Sequence, residues 1–140
     1  MQLTVLNLYD KSDEPVEIEW LVRGLIPLHL PTILYGNHGT YKSALALHIG
    51  MCVADDMEIC GIKPKQSRVL LLALEGINDV RPRAEAHQRH YGRNAESGFF
   101  YTSGAFRFGN NFAEDLLKRE MDERGIEVLI IDTLSLSRPS

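Results

Sequence analysis

The sequence predicts an α/β domain in which a mostly parallel sheet is flanked by helices. Short apolar runs alternate with helical patterns along the chain, as they do in proteins whose parallel strands are joined by crossover helices. Apolar residues make up 44% of the 140 residues and charged residues 24%, the balance of a chain that can bury a core. We therefore expect a single domain over residues 1–140, with residues 1–20 as an N-terminal arm.

The charge and the hydropathy pattern exclude several classes of protein. The net charge of −4 gives no overall attraction to phosphate backbones or to anionic membranes. The chain has no uncharged apolar window of about 18 residues, and its N-terminus lacks the basic and apolar segments of a signal peptide. We expect a cytoplasmic protein with no membrane contact.

The first strong pattern is a strand, a loop and a helix. Pro31–Tyr35 is a short apolar run bounded by Pro31 and Gly36, which is typical of a buried strand. Gly36–Ser43 follows as a loop. Ser43–Asp55 is apolar on all sides over a helical length, so we expect a buried helix there.

The alternation then continues to the end of the chain. Arg68–Leu74 is nearly continuous in apolar residues, as strands are when both faces of the sheet are covered. Asn78–Tyr91 is charged and predicts a solvent-facing helix that Gly92 closes, with Pro82 in its first turn. The remaining predicted elements are a strand at Phe99–Thr102, a helix at Asn111–Arg124 with an Asn start and a Gly125 stop, and a strand at Glu127–Asp132.

The cysteines and histidines give no metal or redox pattern. Cys52 and Cys60 have neither the spacing of a redox pair nor that of a zinc site, so we expect two buried or half-buried thiols. His87 and His90 could share a helix face, but without another ligand cluster a solvated face explains them better. The same interpretation applies to the basic residues of this region, Arg81, Arg83, Arg89 and Arg93, because Glu85 and Glu96 lie among them.

The loop after the first predicted strand has the residues of a phosphate-binding loop. Its glycines allow backbone N–H groups to point inward, the following helix contributes its positive end, and a Lys-Ser pair can bind phosphates and Mg²⁺. An ordinary strand–turn–helix corner is the alternative interpretation of the loop alone. The loop consists of Gly36, Asn37, His38, Gly39, Thr40, Tyr41, Lys42 and Ser43.

One position departs from the Walker A pattern G-x-x-x-x-G-K-[ST]. The glycine that should precede the lysine is Tyr41. If the backbone there requires a positive φ, a bulky side chain is disfavoured. The substitution leaves phosphate binding possible but puts the tightness of the loop in question.

Two further strand ends carry carboxylates. Four apolar residues precede Asp132, as in a Walker B strand, and such a carboxylate can hold Mg²⁺-bound water near the phosphates. Glu75 ends the second apolar strand, where it could orient an attacking water. Taken singly, Asp132 could cap a turn and Glu75 could be solvated. The carboxyl ends of parallel strands meet at one edge, so the ordered set predicts nucleotide binding.

In this order the motifs resemble the N-terminal part of the RepA-like branch of the RecA/DnaB ATPases, the plasmid- and phage-type replicative helicases. The resemblance covers about residues 20–134. It lies in the run Trp20–Pro27, the strand and loop up to Ser43, the strand end Ala73–Gly76 and the strand Leu129–Leu134.

This resemblance implies a RecA-like P-loop fold that uses ATP and Mg²⁺. By resemblance, Lys42 and Ser43 bind phosphate and Mg²⁺, Glu75 is the catalytic base, and Asp132 supports the metal. RecA-type ATPases continue with a strand inserted between the Walker A and Walker B strands, a polar sensor, DNA-contacting loops and usually an arginine finger. The chain ends eight residues after Asp132, so we expect a C-terminally incomplete core.

The expected partners follow from the same resemblance. A homo-oligomeric ring or a full-length helicase would complete the core, and DNA would be contacted only through parts missing from this chain. A catalytically silent module that associates with a full-length helicase is the alternative function. A small-molecule kinase is a third possibility, but no lid arginines or acceptor site follow the Walker B region.

Overall fold

The computed structural model describes residues 17–74, 77–92, 94–103 and 106–133. Three strands, β3 (Val69–Ala73), β4 (Phe99–Ser103) and β5 (Val128–Asp132), form a parallel sheet in the order β4-β3-β5. All five residues of β3 are buried, because it is the central strand and both of its faces are covered. The predicted α/β fold with a parallel sheet is confirmed.

Two short strands precede this sheet. Strand β1 (Trp20–Val22) pairs antiparallel with β2 (Ile26–Pro27), a hairpin that the sequence analysis did not predict. Leu21 and Val22 are buried, so this part of the chain belongs to the core. The predicted arm over residues 1–20 therefore ends in a strand, and its residues 1–16 lie outside the described residues.

Helix α1 (Lys42–Ala54) packs closely against the sheet, as predicted for a buried helix. At Gly50 an added Cβ would lie 2.9 Å from both Ile130 Cδ1 and Phe99 Cε2, so the missing side chain is what allows this approach. The helix begins and ends one residue earlier than predicted.

The direction of α1 relative to the sheet follows from the strand residues that each end of the helix packs with. Leu47 belongs to a core cluster with Leu71 and Ala73, whereas Val53 belongs to another with Val69. Helix α1 therefore runs antiparallel to β3, and its N-terminus points to the edge of the sheet where the parallel strands end.

Helix α2 (Ile77–Tyr91) is largely solvent-facing, as predicted, and Gly92 follows it with φ +102°. Pro82 lies inside the helix, so the prediction of a first-turn position is wrong. A proline there cannot donate to the carbonyl one turn earlier, which the charged, exposed character of α2 tolerates because water reaches that carbonyl.

Helix α3 (Asn111–Arg124) has the bounds that were predicted. Asn110, one residue before it, accepts hydrogen bonds from the backbone N–H groups of Phe112 and Ala113, and Gly125 ends the helix with φ +63°. None of the α3 residues is buried, and Phe112 is 78% exposed. No helix of the described residues is long and apolar enough to cross a membrane.

One predicted strand is wrong. The segment Pro31–Tyr35 is not a strand in the structure, and all five of its residues are exposed, with Ile33 at 76% and Tyr35 at 89%. A strand needs a ladder partner, and within the described residues β5 pairs only with β3. The segment has the apolar composition of a strand, but its burial needs a neighbouring strand that the described residues do not supply.

Candidate functional site

The loop between the apolar segment 31–35 and α1 folds back on itself. At Gly36, an added Cβ would lie 3.0 Å from Thr40 Oγ1, tighter than side chains normally tolerate. The same Thr40 hydroxyl donates a hydrogen bond to the carbonyl of Asn37 at 2.7 Å. Gly39 has a φ of +78°, in the left-handed region that glycine favours. The backbone shape of the loop therefore explains both of its glycines.

The side chain of Lys42 bends back over this loop. Its Nζ donates to the carbonyl of Asn37 at 2.7 Å and lies 3.4 Å from Thr40 Oγ1. Both contacts are exposed to solvent, so little binding energy is lost when they are exchanged for others. A phosphate oxygen forms a stronger, charge-assisted bond to an ammonium than a neutral carbonyl does. The loop thus places a cation where an incoming anion can replace the carbonyl.

The N-terminus of α1 adds a second attraction for anions. The helix begins at Lys42, and its first backbone bond runs from the N–H of Leu45 to the carbonyl of Tyr41. Among the described residues, Tyr41 precedes the helix without a side-chain capping bond to the first turn, and this turn contains no acidic residue. Its N–H groups and the positive end of the helix dipole are therefore available to an anion.

Tyr41 itself adopts the backbone conformation of a glycine. Its φ of 60° and ψ of 23° lie in the left-handed region, and its side chain is 83% exposed. The position that holds glycine in the Walker A pattern therefore has a positive φ here, the conformation that disfavours a bulky side chain. A non-glycine residue in this region costs roughly 1–2 kcal/mol, and the exposed ring offers little packing in return.

Asp132 lies at the same edge of the sheet as the N-terminus of α1. It is the last residue of β5, half-buried, in register with Ala73, and its carbonyl accepts a hydrogen bond from the N–H of Leu74 at 2.7 Å. Because α1 runs antiparallel to β3, the loop and Asp132 share the carboxyl edge of the sheet. Glu75, the predicted base, lies outside the described residues.

Comparison with protein families agrees with this geometry. A family model described as an AAA domain matches residues 2–138 of the chain. The chain belongs to this family. An AAA domain is an ATPase-type nucleotide-binding module, and the parallel sheet flanked by helices is that of a small RecA-like P-loop domain. Comparisons with curated proteins and with solved structures found no match.

The AAA domain also contains a side-chain cluster that the sequence analysis did not predict. His48 and Cys52 lie one turn apart on α1, and α2 brings His87 against them. His48 Nδ1 lies 3.1 Å from His87 Nε2, and Cys52 Sγ lies 3.7 Å from His48 Nδ1 and 4.0 Å from His87 Nε2. The prediction of a solvated face is therefore wrong for His87, although His90 is exposed.

Burial acts on the ionisation of this cluster. The Cys52 side chain is fully buried, and this burial, together with the negative charge of Asp55, raises the pKa of its thiol. Burial and the neighbouring His48 lower the pKa of His87, so the neutral imidazole is favoured. Cys60 is exposed, so the prediction of burial holds for Cys52 alone. A signal was present in the sequence, since positions 48 and 52 share one face of an apolar helix.

Proposed function

We propose that this AAA domain binds ATP with Mg²⁺ and hydrolyses it as the nucleotide-binding part of a RepA-like replicative helicase. The single observation that carries the proposal is the loop 36–43, in which the Lys42 ammonium lies over the loop backbone at the N-terminus of α1. The shape of this loop, its cation and the helix dipole all favour a phosphate group in the same place.

The residues at the carboxyl edge have complementary roles in this proposal. Lys42 and the N–H groups of the first turn of α1 bind the phosphates. The hydroxyl of Ser43 and the carboxylate of Asp132 are oxygen donors of the kind that Mg²⁺ prefers, so these two side chains would hold the metal or its water ligands. When bound, Mg²⁺ neutralises charge that develops on the transferred phosphoryl group.

Glu75 is the proposed base for hydrolysis. Its carboxylate accepts a proton from the attacking water as the new bond to the γ-phosphorus forms. The bond from that phosphorus to the β–γ bridging oxygen breaks, and ADP leaves with the electron pair. The products are ADP and phosphate, and Lys42 stabilises the charge that develops during the transfer.

The test compares two lysine variants. Lys42→Ala removes the ammonium that lies over the loop, whereas Lys118→Ala removes an exposed lysine of another element, α3. We expect the first variant to lose at least tenfold in Mg-ATP affinity by calorimetry, because one charge-assisted phosphate contact contributes about 1.5–3 kcal/mol. The second should bind like the parent.

Turnover is tested separately from binding. Glu75→Gln should keep Mg-ATP binding and lose phosphate release, and Asp132→Asn should weaken the dependence of binding on Mg²⁺. Equal ATP affinity of the parent and Lys42→Ala would contradict the proposed site. Unchanged turnover in Glu75→Gln would contradict only the role of the base.

A second candidate function is supported by the apolar segment 31–35. Ile33 and Tyr35 are exposed on this segment, and within the described residues β5 has no partner on its outer edge. An open strand edge and an exposed apolar segment together favour strand addition by another chain. The function would then be a catalytically silent interaction module, whose partner is a second copy of the chain in a ring or a full-length helicase.

Association distinguishes this candidate. Ile33→Lys adds a charge to the exposed segment without touching the core, so it should abolish self-association in light scattering while leaving the thermal unfolding temperature unchanged. ATP binding without phosphate release, in the presence of such a partner, would favour the interaction module. A monomer in every condition, with phosphate release, would contradict it.

A further inference from the structure

We propose that His48, Cys52 and His87 form a binding site for one zinc ion that ties α2 to α1. The site is separate from the phosphate loop and does not depend on the proposed ATPase function. Its three donors come from two elements that are far apart in the sequence and adjacent in the fold.

The spacing of the donor atoms fits a tetrahedral ion. Zinc binds imidazole nitrogen at about 2.0–2.1 Å and thiolate sulfur at about 2.3 Å, so tetrahedral geometry separates two nitrogens by about 3.4 Å and nitrogen from sulfur by about 3.6 Å. The observed separations are 3.1 Å between His48 Nδ1 and His87 Nε2, and 3.7 and 4.0 Å from those atoms to Cys52 Sγ. Each differs from the ideal by less than about half an ångström.

The local backbone brings two of the donors together without strain. Residues four apart in a helix lie on the same face, so α1 presents His48 and Cys52 as neighbours. On α2, Val80, Ala84 and His87 share one stripe, and each of them is buried or half-buried. The third donor is therefore fixed by the same packing that holds the two helices together.

The chemistry of the set selects the metal. A thiolate with two imidazoles suits zinc and other borderline or soft ions, whereas Mg²⁺ and Ca²⁺ prefer oxygen donors. Three protein donors leave one tetrahedral position for water. Ligands bind zinc in their deprotonated form, so the Cys52 thiol gives up its proton, and the hydrogen bond between His48 Nδ1 and His87 Nε2 is exchanged for two metal–nitrogen bonds.

The surroundings also favour a cation. Asp55, at the end of α1, acts electrostatically on both Cys52 and His87, and its carboxylate is held by the amide of Asn94 at 3.1 Å. The ring of Tyr91 packs beside His87, with centroids 4.6 Å apart, and restricts the rotation of the imidazole. Both features reduce the reorganisation that metal binding requires.

A bound ion would stabilise a contact that is otherwise thin. Of the α2 side chains that the structure describes, only Val80 is buried. Coordination of His87 near the other end of the helix adds a second fixed point. The phosphate loop leads directly into α1, so zinc bound between α1 and α2 would also restrict the motion of the helix that follows the loop.

The experiment uses the full chain stripped of metal with a chelator. Zinc is titrated by calorimetry, and cobalt is used as a spectroscopic probe because a tetrahedral cobalt–thiolate site absorbs in the visible and near ultraviolet. We expect one ion per chain. His87→Gln should lower the affinity for zinc at least a hundredfold, because even outer partners of a metal site commonly contribute ten- to hundredfold. His90→Gln, on the same helix but exposed, should bind like the parent.

The cysteines provide the matched second test. Cys60→Ser should keep the cobalt–thiolate absorption, and Cys52→Ser should lose it. Cys52 is buried, so His87→Gln carries the test if Cys52→Ser fails to fold. Zinc should also raise the thermal unfolding temperature of the parent and of His90→Gln, but not that of His87→Gln. No zinc binding by the parent, or binding unchanged in His87→Gln, would overturn the proposal and leave the cluster as a hydrogen bond between two imidazoles.

Discussion

The conformation of Tyr41 gives the most specific prediction about the loop. Tyr41→Gly restores the Walker A glycine at a position where φ is 60°. Removing the left-handed penalty gains roughly 1–2 kcal/mol, and the greater freedom of glycine in the unfolded chain costs roughly 0.5–1 kcal/mol. We expect a net gain of about 0.5–1 kcal/mol in the free energy of unfolding.

A second variant, Tyr41→Ala, separates the effect of the ring from that of the backbone. Tyr41→Ala removes an exposed ring but keeps a Cβ at positive φ, so its stability should stay within about 0.5 kcal/mol of the parent. Urea unfolding of the three proteins measures the difference. The absence of a Cβ also lets a phosphate approach the backbone, so Mg-ATP affinity should increase severalfold in the glycine variant and remain near that of the parent in the alanine variant.

The reciprocal control is Gly39→Ala. Its φ is +78°, and an added Cβ would meet no atom within 4 Å, so a loss of stability there comes from the backbone alone. We expect a loss of roughly 1–2 kcal/mol. If Tyr41→Gly is less stable than Tyr41→Ala, or if Gly39→Ala is as stable as the parent, the positive φ of these residues is not what limits the stability of the loop.

Five further variants test packing and capping by urea unfolding. Gly50→Val should lower the free energy of unfolding by at least about 2 kcal/mol, because an added Cβ lies 2.9 Å from atoms of two sheet side chains. The control, Leu45→Val on the exposed face of α1, should lower it by less than about 1 kcal/mol. Equal losses in the two variants would contradict the close approach of α1 to the sheet. Met51→Ala should cost about 2–5 kcal/mol, since Met51 is fully buried in the core beneath α1, and a value near zero would contradict that burial. Asn110→Ala should lower the free energy of unfolding by about 1 kcal/mol, because it removes the acceptor of two backbone hydrogen bonds at the start of α3. Asn110→Asp keeps an acceptor there and should be as stable as the parent. A loss of stability in both variants would mean that the cap is not the cause.

The elements that sequence patterns predicted well are those whose signals are local. Helix α3 has the predicted bounds and the predicted closing Gly125, although the side chain that caps its start belongs to Asn110, one residue before the predicted first residue. The strands β3 and β5 follow from continuous apolar runs, because a central or covered strand needs apolar residues on both faces. The residues of the loop 36–43 could be named from the sequence because they are contiguous, and their role in phosphate binding stays a prediction.

The features that were missed depend on distant partners. Pro31–Tyr35 has the composition of a strand, but pairing is decided by a neighbouring strand and not by the segment itself. The hairpin of β1 and β2 lies where the pattern mixes apolar and polar residues. The contact of His48 and Cys52 with His87 arises from helix packing across 35 or more residues, which periodicity along one helix cannot show.

The proposed function depends on phosphate binding by the loop 36–43. Backbone amide chemical shifts, measured by NMR with and without Mg-ATP, test it most directly because they report each N–H group separately. We expect the largest shift changes at residues 39–43, where the loop meets the N-terminus of α1, and we expect Lys42→Ala to lose them. Shift changes centred on α3, with the amides of residues 39–43 unmoved, would contradict the claim.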